Sequence, residues 1–173
     1  MKKNLYLLLV LIVTSFAACK KDDIVYDDAF RKSNRAWLAF KKESNNNYSY
    51  NVSVGSWTGY GSNTIILVKN GKVVERSFKS QNITYTTTGM EIVERESWTE
   101  TATNLNTHDN GAATTLTLDE VYAKAKSIWL VKRKDAETFF EANNNGMISL
   151  AGYVENGCQD DCFNGITIVS INK

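Results

Sequence analysis

Apolar and polar positions follow three periods along this chain, and each predicts a different kind of element. The first is a nearly unbroken apolar run from Leu5 to Phe16, behind Lys2 and Lys3. About a dozen residues fall short of the roughly 18–20 that cross a hydrocarbon core, but they suit the h-region of a secretory signal. The second is helical: Phe30, Trp37, Leu38 and Phe40 gather on one side of 29–42, while Arg31, Lys32, Arg35, Lys41 and Lys42 stay polar. Asp27 and Asp28 suit the start of that helix and the lysines its end, because each opposes the partial charge of the helix terminus. Trp37 is then a core anchor. The third period is two: Tyr48, Tyr50, Val52 and Val54 alternate with Ser49, Asn51 and Ser53, which predicts a half-buried strand.

A glycine- and hydroxyl-rich loop over 55–63 follows, carrying Trp57 and Tyr60. Aromatics exposed there are candidate ligand contacts, and the competing reading has them fold back over the sheet edge. Asn70-Gly71 between strand-forming runs over 64–69 and 72–79 predicts a hairpin, since both residues tolerate the positive φ of a tight turn. Either Ile65, Leu67, Val74 and Phe78 or Ile66, Val68 and Val73 line its inner face. The stretch 82–113 is the least patterned, with strands suggested at 90–93 and near Trp98, and an exposed loop over 99–115 that places His108 in solvent. Thr117 to Glu120 reads as a capping box. Leu118, Val121, Tyr122, Ala125, Ile128 and Trp129 then recur at helical spacing. Runs over 137–142 and 147–153 flank Asn143 to Gly146 as a second hairpin, and 166–171 predicts a well-buried final strand. The class expected is α+β, a single domain with a mainly antiparallel sheet built from hairpins and two helices packed on it.

Composition narrows the function. The chain has 20 Lys+Arg against 19 Asp+Glu. Loss of Lys2 and Lys3 with a signal peptide leaves no basic excess, and so none of the electrostatic attraction that carries most non-specific DNA affinity. No nucleic-acid partner is expected. With a single histidine, His108, a multi-histidine metal site is excluded. A catalytic triad through that residue would lack any nucleophile motif. No enzyme and no cofactor are read from the sequence. Proline is absent, so turns rest on Gly, Asn and Asp.

Ala17, Ala18 and Cys19 at the end of the apolar run resemble the lipobox of bacterial lipoproteins, with Phe16 where leucine is commoner. The resemblance implies cleavage after Ala18 and acylation of Cys19, with a membrane held through lipid rather than through a spanning helix. Several acyl chains on one residue exceed what stable anchoring needs. The expected organisation is a signal peptide over 1–18, a short tether over 19–28 and one globular domain over 29–173. Lys20, Lys21, Asp22 and Asp23 look like the surface-export signal of some Gram-negative lipoproteins. Localisation follows as the outer membrane, at the cell surface or otherwise on its periplasmic face. Of the three cysteines, Cys158 and Cys162 remain, and outside the cytosol this pair reads as a disulfide pinning a local turn. Zinc would need two further ligands. Asp160 and Asp161 lie inside that turn as hard oxygen donors without EF-hand spacing.

The helix with Trp37, the Tyr-Ser-Tyr strand at Tyr48, the Asn-Gly-Lys-Val-Val hairpin at Asn70, the Leu-Asp-Glu-Val-Tyr helix start at Leu118 and the Cys-Gln-Asp-Asp-Cys turn together resemble a family of small Gram-negative lipoproteins of unknown function. The resemblance implies a compact α+β domain attached to a membrane, and it carries no catalytic residue. The function expected is a non-catalytic binding module, with a glycan, a peptide or an envelope protein as candidate partner. A structural or assembly subunit of an envelope complex is the alternative.

Overall fold

A computed structural model describes residues 24–108 and 111–173 of the protein. The expected signal peptide, the lipid-bearing Cys19 and the charged stretch ending at Asp23 lie outside the described residues, as do Asp109 and Asn110. The chain is α+β: one antiparallel sheet of seven strands and two helices. Helix α1 (Asp27–Glu43) precedes strands β1 (Tyr48–Gly55), β2 (Tyr60–Lys69), β3 (Lys72–Thr86) and β4 (Gly89–Thr101). Helix α2 (Leu118–Lys124) continues into a π-helical turn (Ala125–Trp129), then β5 (Ala136–Glu141), β6 (Leu150–Glu155) and β7 (Asn164–Asn172). The strand order is β4-β3-β2-β1-β7-β6-β5, so the last strand lies beside the first. Among the described residues no helix is long and apolar enough to cross a membrane.

Helix α1 begins two residues earlier than its hydrophobic spacing suggests, because Asp27 and Asp28 form its first turn rather than precede it. Phe30, Ser33 and Trp37 are its buried residues, three and four positions apart. Trp37 meets Tyr48 edge-on at 5.1 Å and stacks near Tyr122 at 6.3 Å. Its indole N–H donates to Asp119 at 3.0 Å, so the large ring is buried without stranding its polar atom. The helix ends against the β2–β3 turn, where the Gly71 N–H donates to the Asn46 carbonyl at 3.0 Å. Gly71 has φ +73°, and an added Cβ would stand 2.3 Å from the Asn46 amide. The positive φ favours glycine at this turn, and any side chain there would also have to displace the Asn46 amide.

The inner face of β2 is the one with Ile66 and Val68, both fully buried, while Ile65 is exposed. Tyr48, Tyr50 and Val52 extend this layer on β1 and Ile166 and Ile168 on β7. Phe30 and Trp37 of α1, and Leu118, Val121 and Tyr122 of α2, belong to the same cluster. The three core phenol hydroxyls are all engaged. The Tyr48 hydroxyl accepts the Leu118 N–H at 2.8 Å, that of Tyr50 donates to the Leu116 carbonyl, and that of Tyr122 contacts Ser33 at 2.8 Å. Burial pushes all three phenols above their ordinary range.

Several expectations need correction. The stretch 82–113 holds the longest hairpin of the fold: β3 continues to Thr86, and β4 returns from Gly89 with Phe78 opposite Trp98 and Tyr85 opposite Met90. The strands expected at 90–93 and near Trp98 are both parts of β4; what the sequence left unmarked is the extension of β3 and the joining of the two into one ribbon whose far end is wet on both faces. The capping box at Thr117 is present, but the helix it starts is α-helical only to Lys124. The Leu130 N–H then reaches back five residues to the Ala125 carbonyl at 2.9 Å, closing the wider π turn. The last strand is central, yet only Ile166 and Ile168 are fully inside. A bulge opposite Asn51 and Val52 skips Val169 outward.

Candidate functional site

The sheet is pinched where its first and last strands join. Their ladder runs from Ser49 opposite Asn172 to Val52 opposite Ile168 and stops there. Beyond it, Ser53 to Gly55 remain paired to β2 alone, and Asn164 to Thr167 to β6 alone. The two edges part into a wedge, and in it lies an open groove of about 700 Å³. Val52 and Val54 line one side, and Phe139, Leu150 and Val154 the other, with Phe163 at the end.

The lining follows from strand alternation. Ala151 turns into the core, so Leu150, Gly152 and Val154 turn outward, and Phe139 stands opposite Gly152. Gly152 in turn pairs with Gly165. An added Cβ on Gly152 would lie 2.3 Å from the Phe163 ring, and one on Gly165 would lie 2.7 Å from it. The two glycines make a flat seat for that aromatic, and Phe163 holds the apolar end of the groove.

At the mouth the wedge is fastened by side chains. The Ser56 hydroxyl donates to Asp161 at 2.9 Å, and the Trp57 indole N–H donates to Asp160. The loop carrying both aspartates is closed at its base, where Cys158 and Cys162 stand at disulfide distance with their Cα atoms 6.2 Å apart. Trp57 is 79% exposed, so its ring lies on the rim as an open face rather than folded over the sheet edge. Tyr60 is half-buried and lines the same groove. The two candidate contacts are thus brought to one place, together with Asp160 and Asp161, which the sequence leaves as an isolated acidic pair.

Tyr60 also borders a second, polar hollow of about 480 Å³ with Ser80, Asn82, Arg95 and Glu96. Farther along the same strands, Arg76, Glu100, Trp98 and His108 form a packed cluster. The Glu100 carboxylate accepts from Arg76 and from the backbone N–H groups of Asn106 and His108. The Arg76 guanidinium, helped by those N–H groups, holds that carboxyl well below its ordinary value. His108 is not the solvated loop residue expected: its ring stacks on Trp98 at 4.4 Å, and its Nδ1 lies 3.1 Å from Glu100. Arg76, Glu100 and His108 are joined to one another by hydrogen bonds of their side chains or backbone groups, while Trp98 takes part through its ring face and its buried indole N–H has no hydrogen-bond partner among the described residues. The effect of the cluster is to hold the loop after β4 against the inner face of β2 to β4, beyond the reach of the helices.

Sequence reasoning missed Phe139, Leu150, Val154 and Phe163. The signal for them was present as one glycine in each of two strands, Gly152 and Gly165, with Phe163 two residues before the second, but their pairing depends on strand register. Among the described residues no group of three or more His, Cys, Asp or Glu is placed to hold a metal ion. Comparison with known proteins finds no match: no family model, no curated protein and no solved structure is similar to this chain.

Proposed function

We propose that the protein is a lipid-anchored lipoprotein of the outer membrane, attached through Cys19, and that it acts as a non-catalytic binding module whose ligand occupies the groove between β1 and β7. The observation that carries the reading is the apolar groove itself, about 700 Å³ with Tyr60 in its wall and Trp57 on its rim. Ligand sites are commonly concave, mainly apolar and bordered by a few polar groups, and span roughly 300–1,000 Å³. Mass measurement on the mature N-terminus tests the anchor, and an unmodified Cys19 thiol overturns it. Binding is tested with full-length protein in lipid nanodiscs, titrated with small aromatic and aliphatic fragments while methyl resonances are followed. Shifts should concentrate on Val52, Val54, Leu150, Val154 and Ile166. Fragments that leave those methyls unmoved would remove the groove as a site.

A second reading, an assembly subunit of an envelope complex, draws on the end of the β3–β4 hairpin. Ile83 pairs with Ile92 and Tyr85 with Met90, which puts four apolar side chains on one face. Tyr85 is 81% and Met90 61% exposed. Crosslinking through position 85 in intact cells tests it, and recovery of monomer alone counts against it.

A further inference from the structure

Three features of the wedge constrain its occupant. The first is unpaired main chain. In an antiparallel strand every second residue aims its N–H and C=O away from the neighbour it is paired with. Ser53 to Gly55 have a neighbour only in β2, and Asn164 to Thr167 only in β6. Some of their peptide groups therefore point into the groove from both sides. The second is the apolar wall of Phe139, Leu150, Val154 and Phe163. The third is charge: the groove lining includes the Asp161 carboxylate and no lysine or arginine, and Asp160 stands beside it on the rim against Trp57.

A purely apolar ligand such as an acyl chain would fill the wall but leave the peptide groups dry and unbonded, which is unfavourable. A glycan would satisfy them but waste the apolar wall. An extended peptide does both, because its main chain bonds strand edges while alternate side chains enter pockets. The carboxylates and the exposed indole face at the mouth select a cation at one end of it, held by charge and by the aromatic ring.

We propose that the wedge between β1 and β7 binds a short extended peptide whose main chain hydrogen-bonds the parted strand edges, with an apolar side chain against Phe163 and a lysine, arginine or free amine at Asp160 and Asp161. This rests on the binding-module reading and names its ligand class.

The test uses full-length protein in nanodiscs and a labelled hexapeptide of alternating valine and threonine ending in lysine, followed by fluorescence polarisation with empty nanodiscs as control. Saturable binding is expected. N-methylation of alternate peptide amides should weaken it by about tenfold or more, since it removes main-chain donors and leaves the side chains unchanged. Replacing the lysine by glutamate, or Asp161→Asn in the protein, should each weaken it by roughly fivefold, the lysine effect shrinking as salt rises. Equal binding of the N-methylated peptide overturns strand pairing, and equal binding of the glutamate peptide overturns the cation site. If none of these peptides binds while the aromatic fragments still shift the groove methyls, the peptide inference fails and the binding module stands. If neither binds, both fail.

Discussion

Arg76 and Glu100 face each other across β3 and β4 through two hydrogen bonds, Nε to Oε2 at 2.9 Å and Nη2 to Oε1 at 3.0 Å, with both side chains almost wholly buried. Arg76 also donates to the carbonyls of His108 and Ala113, and its guanidinium lies 5.0 Å from the Trp98 ring centre. The pair fastens the loop after β4 to the sheet. Such a bond gives shape more than net stability, since both charges lose water on burial. Removing one partner alone is different.

Arg76→Met should therefore destabilise the domain by about 3–5 kcal/mol, because Glu100 is left buried without its cation. The double change Arg76→Met with Glu100→Leu should recover part of that loss. Urea denaturation of the three proteins checks both statements. A single variant as stable as the double one would contradict this role.

Stability should also fall in acid in a way traceable to Glu100. Its folded value is depressed, so its contribution is complete above the unfolded carboxyl's value of about 4.3 and drains away as pH falls from there toward the folded value. Glu100→Gln is expected to be less stable than wild type at pH 7 and to show a shallower decline below about pH 4. Denaturation midpoints between neutral pH and strong acid measure the difference.

Glycine positions give a paired prediction. A Cβ at Gly165 would meet the Ala151 carbonyl oxygen at 2.3 Å and the Gly152 Cα at 2.6 Å, whereas one at Gly55 meets nothing within 4 Å. Gly165→Ala should cost about 1–3 kcal/mol through overpacking. It should also disturb the methyl resonances of Leu150 and Val154. Gly55→Ala should stay within roughly 0.5 kcal/mol of wild type. Calorimetry on the two variants decides it.

Replacing Cys158 and Cys162 together by alanine opens a loop so short that the entropic loss is about 2 kcal/mol. The larger effect is local. Asp160 and Asp161 should lose their fixed positions, and hydrogen exchange should speed up at Ser56 and Trp57 while the core around Trp37 is unchanged. Uniform acceleration over the whole sheet would argue that the turn supports the fold rather than the rim.

Much of this was legible because local chemistry and global packing agree. Phe30 and Trp37 fall on one helical face, Thr117 and Glu120 cap reciprocally, and Asn70-Gly71 admits one kind of turn. Where they disagree the sequence is silent. The outer half of β3 and β4 alternates Ile83 and Tyr85 with Thr84 and Thr86, and sets Met90 and Ile92 on either side of Glu91, but the ribbon is exposed on both faces, so this short period of two marks no buried side. His108 looks like a loop residue because its partners, Trp98 and Glu100, reach it only through the fold of the chain between them. The groove was invisible for a related reason. It exists because β1 and β7 stop pairing, and the end of a ladder between the first and last strands leaves no trace in either one alone.

That unfinished ladder makes the sheet two panels rather than one. A few rungs join them at the base, and at the top, among the described residues, a hydroxyl and an indole hold on to two carboxylates. Tugged apart from its outermost strands, the molecule should open along this line first, as a zip does from its loose end, with the rungs inside each panel still closed.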